Sequence, residues 1–260
     1  MTRVAIVTGA NSGIGFEMAR ELLRRGYRVA AFDLALANGD RLRGSSADVL
    51  LVPCDVRREE AVAEAVEAVV RRWGRVDVLV NNAAIAPFGS VGTGEADVAS
   101  IQASFDVNVF GPLRTIAAVL PVMKAQGEGT IANVASVLGF TGFPRLAGYS
   151  STKGAMEALT RSLALDLARF GITVQLLHAP LTRTPASKPL DVPDFVMADP
   201  LKVARSFASG IESRRPLVAA DARTTAWLLA ARLAPGLTGK LQARFVEWYG
   251  ARKTARAPRP

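Results

Sequence analysis

Two side chains with complementary chemistry, Tyr149 and Lys153, lie four residues apart. On a helix this spacing places them on one face, one turn apart. A phenol is a poor base at neutral pH, and bringing its pKa from near 10 to about 7 requires roughly 4 kcal/mol in favour of the phenolate. An ammonium about 5 Å away at an effective dielectric of about 20 supplies roughly 3 kcal/mol of this. The pair predicts an acid/base tyrosine whose pKa is lowered by the lysine, although the spacing alone is also common by chance.

Two further polar residues precede this pair. Ser136 ends a predicted strand over residues 129–136, where a hydroxyl can hydrogen-bond a substrate oxygen held by the tyrosine. Asn108 falls within a long helical pattern, where asparagine is mildly unfavourable. Asn108 is therefore either a functional side chain or a solvent-facing polar residue.

A glycine-rich turn joins a predicted strand, residues 3–8, to a predicted helix, residues 14–25. The first turn of a helix offers unpaired N–H groups and a positive dipole to phosphates, and glycine lets the backbone turn sharply and approach them. The spacing is G-x3-G-x-G rather than G-x-G-x-x-G, so an ordinary tight turn remains the alternative. The candidate phosphate-binding residues are Gly9, Asn11, Ser12, Gly13, Ile14 and Gly15.

Two carboxylates follow the next two predicted strands. Asp33 can accept hydrogen bonds from both ribose hydroxyls of an adenosine and would repel a 2′-phosphate. Asp55 is placed to reach the adenine edge. Each has a structural alternative as a helix cap. Because the glycine turn contains no lysine or arginine and none lies beside Asp33, the sequence favours NAD over NADP.

Short apolar runs alternate with longer helical patterns along the chain. Near-continuous apolar strands are typical of a sheet buried on both faces, and strand–helix alternation implies right-handed crossovers. We therefore expect an α/β fold with a doubly wound parallel sheet (Rossmann-like) in a single domain. The predicted strands are 3–8, 28–33, 49–53, 77–81, 129–136 and 173–178, with weaker support for 239–245. The predicted helices are 14–25, 58–73, about 96–126, 149–170 and 219–231.

Composition excludes several classes of protein. The chain has 260 residues, half of them apolar and 21% charged, which suits one large globular domain and not a disordered protein. The single cysteine, Cys54, excludes an internal disulfide framework and cannot form a zinc site with the lone His178, so no metal is expected. No run of 18 apolar residues and no signal peptide is evident, so we expect no membrane partner and a cytoplasmic protein.

The basic balance does not indicate a nucleic-acid partner. The net charge is +9, but Arg252, Lys253, Arg256 and Arg259 lie in the last nine residues. We expect a domain over residues 1–251 and a basic, disordered tail over 252–260. A proline-rich loop begins at residue 179 and extends to about residue 210, at the edge where such sheets bind ligands. It is predicted to form a lid over an apolar pocket lined by Phe140, Phe143, Phe195, Val196 and Met197.

In this order and spacing, the motifs resemble those of the short-chain dehydrogenase/reductase family. The resemblance covers about residues 3–185. Three departures are Ala84, where the family usually has glycine, His178-Ala179-Pro180, where Pro-Gly is expected, and the absence of the usual Asp-Gly-Gly ending. The matching pieces are Thr-Gly-Ala-Asn-Ser-Gly-Ile-Gly at 8–15, Asp33, Asp55-Val56, Asn81-Asn82-Ala83-Ala84, Asn108, Ser136 and Tyr149-Ser-Ser-Thr-Lys153.

The resemblance implies a role for each matching position. Tyr149 is the general acid/base, Ser136 orients the substrate oxygen, and Lys153 lowers the tyrosine pKa and holds the nicotinamide ribose. Asn108 fixes a water that relays the proton outward from Lys153. Members of the family are usually dimers or tetramers, so a homo-oligomer is expected. The remaining implied cofactor contacts are Tyr149 itself and Val56, Asn82, Ala83, Ala84, Pro180, Thr182 and Thr184.

The leading hypothesis is an NAD-dependent oxidoreductase that interconverts a secondary alcohol and a ketone on a small or medium organic substrate. An NADP-linked carbonyl reductase of the same family is the first alternative, against which Asp33 argues. A dinucleotide sensor without catalysis is the second, although such a protein should have lost one of the four reacting groups.

Overall fold

The computed structural model describes residues 1–43, 48–190 and 192–256. Within these ranges seven parallel strands form one sheet in the order β3-β2-β1-β4-β5-β6-β7. The order reverses between β1 and β4, which in doubly wound sheets opens a ligand crevice at the carboxyl ends of the strands. The expected fold class is confirmed. The strands are β1 Val4–Thr8, β2 Arg28–Asp33, β3 Val49–Pro53, β4 Val78–Asn81, β5 Gly129–Ser136, β6 Ile172–Ala179 and β7 Leu217–Ala219.

Helices cover both faces of the sheet. Two apolar cores lie between these layers: α1 and α8 bury Leu22 and Phe207 on one face, while α3, α5 and α7 bury Val69, Ile116 and Leu167 on the other. The helices are α1 Gly13–Arg24, α2 Gly39–Arg43, α3 Glu59–Trp73, α4 Val98–Phe105, α5 Gly111–Gln126, α6 Leu138–Thr141, α7 Ala147–Leu167, α8 Pro200–Glu212, α9 Ala222–Leu233 and α10 Pro235–Arg256.

The prediction for the C-terminal region was wrong. Residues 239–245, predicted as a strand, lie inside α10, and the seventh strand is instead the three-residue β7. The apolar spacing of Leu237, Leu241 and Phe245 is helical, and Pro235 begins the helix, where proline is well tolerated. The helix continues to Arg256, into the segment predicted as a disordered tail. Residues 257–260 of that prediction lie outside the described residues.

The predicted helix over residues 96–126 is interrupted. Between α4 and α5, residues Asp106–Phe110 form a turn of π-helix, and such turns often occur at functional sites. The combined stretch Val98–Gln126 is long and apolar enough to span a membrane by length and composition, with a mean hydropathy of 1.2. It contacts α3, α7, β4 and β5, as a core helix of a soluble protein does, so length and composition alone carry little weight here.

Candidate active site

A cavity of about 950 Å³ opens at the carboxyl edge of the sheet. It lies where the strand order reverses, and the ends of β1, β2, β4, β5 and β6 all reach it. Most of the predicted site residues share its wall; Asn11, Gly15 and Asn108 lie behind it. The predicted residues on the wall are Gly9, Ser12, Gly13, Ile14, Asp33, Asp55, Val56, Asn82, Ala83, Ala84, Ser136, Tyr149, Lys153, Pro180, Thr182 and Thr184.

The glycine turn has no room for side chains. Gly9 and Gly13 have φ of +66° and +56°, a region that favours glycine. A Cβ on Gly15 would lie 2.1 Å from the carbonyl oxygen of Gly9. Ser12 is the N-cap of α1 and its side chain makes no capping hydrogen bond, so the first N–H groups of the helix border the cavity. This cradle fits a pyrophosphate.

Asp33 and Asn11 form one hydrogen-bonded unit. Asp33 Oδ2 accepts from the backbone N–H of Asn11 at 2.9 Å, and Oδ1 accepts from that of Ala35 at 3.2 Å. The Asn11 side chain turns away from the cavity, where its Oδ1 accepts from the backbone N–H of Asn38 at 2.9 Å. Asp33 therefore stays on the wall and is not the cap of α2, while Asn11 fastens the loop after β2 to the turn.

Asp55 is paired with an arginine that sequence reasoning missed. Arg57 Nη2 donates to Asp55 Oδ2 at 2.7 Å, and its Nε donates to Oδ1 at 3.0 Å. The Arg57 guanidinium holds the pKa of that carboxyl below its ordinary value. Asp55 is not the cap of α3, because Arg58 occupies that position. Since Arg57 also lines the cavity, the wall beside Asp55 contains a cation that is neutralised by that carboxylate.

The end of β4 is fastened to the glycine turn. Thr8 Oγ1 accepts from the backbone N–H groups of Asn82 and Ala83, each at 3.0 Å. Asn82 Nδ2 donates back to the carbonyl oxygens of Thr8 and Gly9 at 3.0 and 3.2 Å. Ala84 does not have a positive φ, so its methyl group fits where the family usually has glycine. These bonds fix the floor of the cavity.

Ser136, Tyr149 and Lys153 come together at the ends of β5 and α7. The Ser136 and Tyr149 side chains are hydrogen-bonded. Lys153 Nζ lies 5.4 Å from the centre of the Tyr149 ring and donates to the carbonyl oxygen of Val134 at 2.8 Å. The structure therefore brings these three side chains together on the wall of one cavity.

The pKa of Tyr149 departs in the direction opposite to the sequence expectation. Burial of the hydroxyl raises the pKa to about 12, and the hydrogen bond from Ser136 opposes this. Tyr149 lies on the cavity wall and keeps some exposed surface. Burial also lowers the pKa of Lys153 to about 8. Desolvation therefore outweighs the attraction between ammonium and phenolate in the protein alone.

Asn108 lies in the π-helical turn and is almost fully buried, so it is not a solvent-facing residue. Its Oδ1 accepts from the backbone N–H of Ile85 at 2.8 Å, and its Nδ2 donates to the Ile85 carbonyl oxygen at 2.8 Å. Nδ2 also donates to Thr152 Oγ1 at 3.1 Å, beside Lys153. The side chain thus ties the segment after β4 to α7, and its predicted role in a proton relay stays a prediction.

The proline-rich segment closes one side of the cavity. Thr182 Oγ1 donates to the carbonyl oxygen of Pro180 at 2.7 Å. Thr184 packs closely on the glycine turn: a Cβ added to Gly13 would lie only 2.9 Å from Thr184 Cγ2. Phe143, Phe195, Val196 and Met197 line the cavity as predicted.

Phe140 does not line the cavity, contrary to the prediction. Its ring stacks on the buried His178 with 6.2 Å between ring centres. His178 Nε2 lies 2.8 Å from Glu157 Oε1, but the two groups are not aligned for a conventional hydrogen bond. Among the described residues, His178 Nδ1 has no hydrogen-bond partner. His178 is therefore a packed residue, and Phe140 belongs to its surroundings.

Several cavity residues were missed because α10 was predicted as a strand. The helical apolar spacing described above was the available signal. The side chains from α9 and α10 on the wall include Trp227, Leu241, Gln242, Phe245 and Val246.

Comparison with known proteins agrees with this geometry. The family model described as short chain dehydrogenase matches residues 3–193. The chain is 41% identical over 207 residues to a 2-(R)-hydroxypropyl-CoM dehydrogenase from Xanthobacter autotrophicus, covering 75% of this chain and 81% of that protein.

Solved structures share the fold. A 3-ketoacyl-(acyl-carrier-protein) reductase from Brucella melitensis in complex with NADH superposes with a TM-score of 0.75 at 30% identity, covering 84% of this chain and 95% of that chain. ElxO with NADP bound superposes with a TM-score of 0.78 at 25% identity, covering 87% and 100%. With the family model, the relatives and the site in agreement, the chain belongs to the short-chain dehydrogenase/reductase family and is an oxidoreductase of that family.

Proposed function

We propose that the protein is an NAD-dependent oxidoreductase that interconverts a secondary alcohol and a ketone, with Tyr149 as the general acid/base. The observation that carries the proposal is the convergence of Ser136, Tyr149 and Lys153 on the cavity that also contains the glycine turn and Asp33. The 2-(R)-hydroxypropyl-CoM dehydrogenase relative supports an alcohol as substrate.

The glycine turn and Asp33 suit an adenine dinucleotide. Backbone N–H groups at the start of α1 would bind the pyrophosphate, and the Asp33 carboxylate would accept from the adenosine ribose. Lys153, whose Nζ is held by the Val134 carbonyl, would contact the second ribose. The bound nicotinamide supplies hydride transfer, and the protein supplies orientation and the proton path.

The proton in this proposal belongs to the Tyr149 hydroxyl. Because burial raises its pKa to about 12, the hydroxyl is protonated at neutral pH. It can then donate its proton to the oxygen of a ketone as that carbon is reduced. Ser136 can donate a hydrogen bond to the same oxygen. In the reverse direction the phenolate must form, which the hydrogen bond from Ser136 favours.

The proposal is tested by turnover of secondary alcohols and ketones with NAD and NADP. Tyr149→Phe should reduce kcat at least about 100-fold, because the proton donor is lost. Affinity for NADH, followed by fluorescence, should be unchanged. Tyr249→Phe, on α10 outside the cavity wall, is the matched control and should retain full activity. Turnover that survives Tyr149→Phe would overturn the assigned acid/base.

One observation favours the NADP-linked alternative. Arg57 lies on the cavity wall and could pair with a 2′-phosphate if it left Asp55. We favour NAD for two reasons. The Asp33 carboxylate can accept hydrogen bonds from the ribose hydroxyls and would repel a 2′-phosphate. The charge of Arg57 is already neutralised by Asp55. The Asp33→Ser variant should raise KM for NAD and improve use of NADP. The alternative would be established if the parent enzyme prefers NADP and the Arg57→Ala variant does not.

A further inference from the structure

The cavity that contains the reacting groups is also lined by side chains from the two C-terminal helices. These helices, α9 and α10, follow the last strand of the sheet. We call these residues, Trp227, Leu241, Gln242, Phe245 and Val246, the C-terminal wall.

Contacts with α6 hold this wall in place. The Thr141 hydroxyl donates to Gln242 Oε1 at 3.2 Å. The backbones approach so closely that a Cβ on Gly239 would lie 2.8 Å from the carbonyl oxygen of Thr141. Because α6 follows directly after Ser136, the wall is tied to the strand end that carries a reacting group.

The chemistry of the wall is mainly apolar. Trp227, Leu241, Phe245 and Val246 face the same cavity as apolar side chains of the proline-rich segment, such as Phe195. Two charged residues of this region also border the cavity. Asp221 is occupied as the cap of α9, where it accepts from the Thr224 backbone N–H and hydroxyl, and Arg223 is exposed at the rim.

We propose that the C-terminal wall is a substrate subsite that selects secondary alcohols and ketones carrying an extended alkyl chain or ring. This rests on the proposed function for the reaction itself. With Ser136 and Tyr149 holding the oxygen, the apolar substituent lies against Trp227 and Phe245. Burial of each methylene contributes about 0.8 kcal/mol of binding free energy, so each added methylene should raise kcat/KM about fourfold until the cavity is filled.

The test is kcat/KM for 2-alkanones of increasing chain length, measured with NADH. In the parent, kcat/KM should rise with chain length. Phe245→Ala and Trp227→Ala should flatten the rise of kcat/KM with chain length, and Val246→Phe should shorten the longest chain accepted. Leu237→Ala, on α10 but exposed and off the wall, is the matched control and should behave as the parent.

Binding separates failure of the subsite from failure of the proposed function. The affinity for the same ketones, measured by titration calorimetry with the dinucleotide present, should follow the same chain-length dependence even if no ketone is turned over. If the affinity depends on chain length equally in the parent, Phe245→Ala and Trp227→Ala, the assignment of the C-terminal wall as the subsite is overturned. No dependence in the parent, or tighter binding of chains of equal length ending in a carboxylate, would overturn the apolar substrate class.

Discussion

The buried ammonium of Lys153 should make the stability of the protein depend on pH. Lys153 is 4% exposed, and burial lowers its pKa from 10.5 to about 8. Between these values the unfolded chain holds a proton that the folded protein has released. The free energy of unfolding therefore rises with pH in this range, and the full penalty for the buried charge applies below about pH 8.

The magnitude follows from the two pKa values. Their difference corresponds to about 3 kcal/mol of lost stability at neutral pH. The Lys153→Met variant replaces the ammonium with an apolar side chain of similar length and removes this penalty. It also removes the hydrogen bond to the Val134 carbonyl, a loss that lowers stability across the whole pH range.

Urea unfolding of the parent and Lys153→Met, from pH 7 to pH 10 without added nucleotide, checks this reasoning. The stability of the variant relative to the parent should fall by about 2 to 3 kcal/mol over that range, because only the parent gains from releasing the proton. Lys240→Met, an exposed lysine on α10, should stay parallel to the parent. Parallel profiles for Lys153→Met and the parent would refute the argument, since Lys153 would then titrate as it does in the unfolded chain.

Three further substitutions and one alkylation reaction test the scaffold. Gly15→Ala should prevent stable folding, since the new Cβ would lie 2.1 Å from a backbone carbonyl oxygen. Gly236→Ala places its Cβ where no described atom lies within 4 Å, so it should stabilise α10 by about 0.5 to 1 kcal/mol in thermal unfolding. Asn108→Leu should lower the free energy of urea unfolding by about 2 to 4 kcal/mol, because it leaves the backbone N–H and carbonyl of Ile85 without their partner. A loss of less than about 0.5 kcal/mol would contradict this. Burial raises the pKa of the Cys54 thiol to about 11, so iodoacetamide at pH 8 should alkylate the folded protein at least about 100-fold more slowly than the urea-unfolded chain, and equal rates would show the thiol is accessible.

Much of the site was predictable because its residues stand at strand ends. In a parallel sheet, the carboxyl ends of neighbouring strands meet at one edge, so Asp33, Ser136 and the glycine turn had to lie close together once the alternation was recognised. The pair Tyr149 and Lys153 follows from helical spacing alone. These inferences needed only local pattern and chain order.

Other features depended on contacts between distant parts of the chain. The partners of Asn108 and Asn11 lie 23 and 27 residues away, so their roles as backbone anchors were not visible in any local pattern. The direction of the Tyr149 pKa depended on how completely packing removes water from its hydroxyl. The estimate from the sequence counted the attraction between ammonium and phenolate and left out desolvation.

The C-terminal third shows the same division most clearly. By itself the sequence determined a doubly wound parallel sheet and the reacting groups at its edge, because the period of apolar residues and the order of strands are local properties of the chain. Only the tertiary structure decided that α10 packs against α6 and enters the cavity wall, since that depends on which surfaces α9 and α10 find complementary after the sheet is complete.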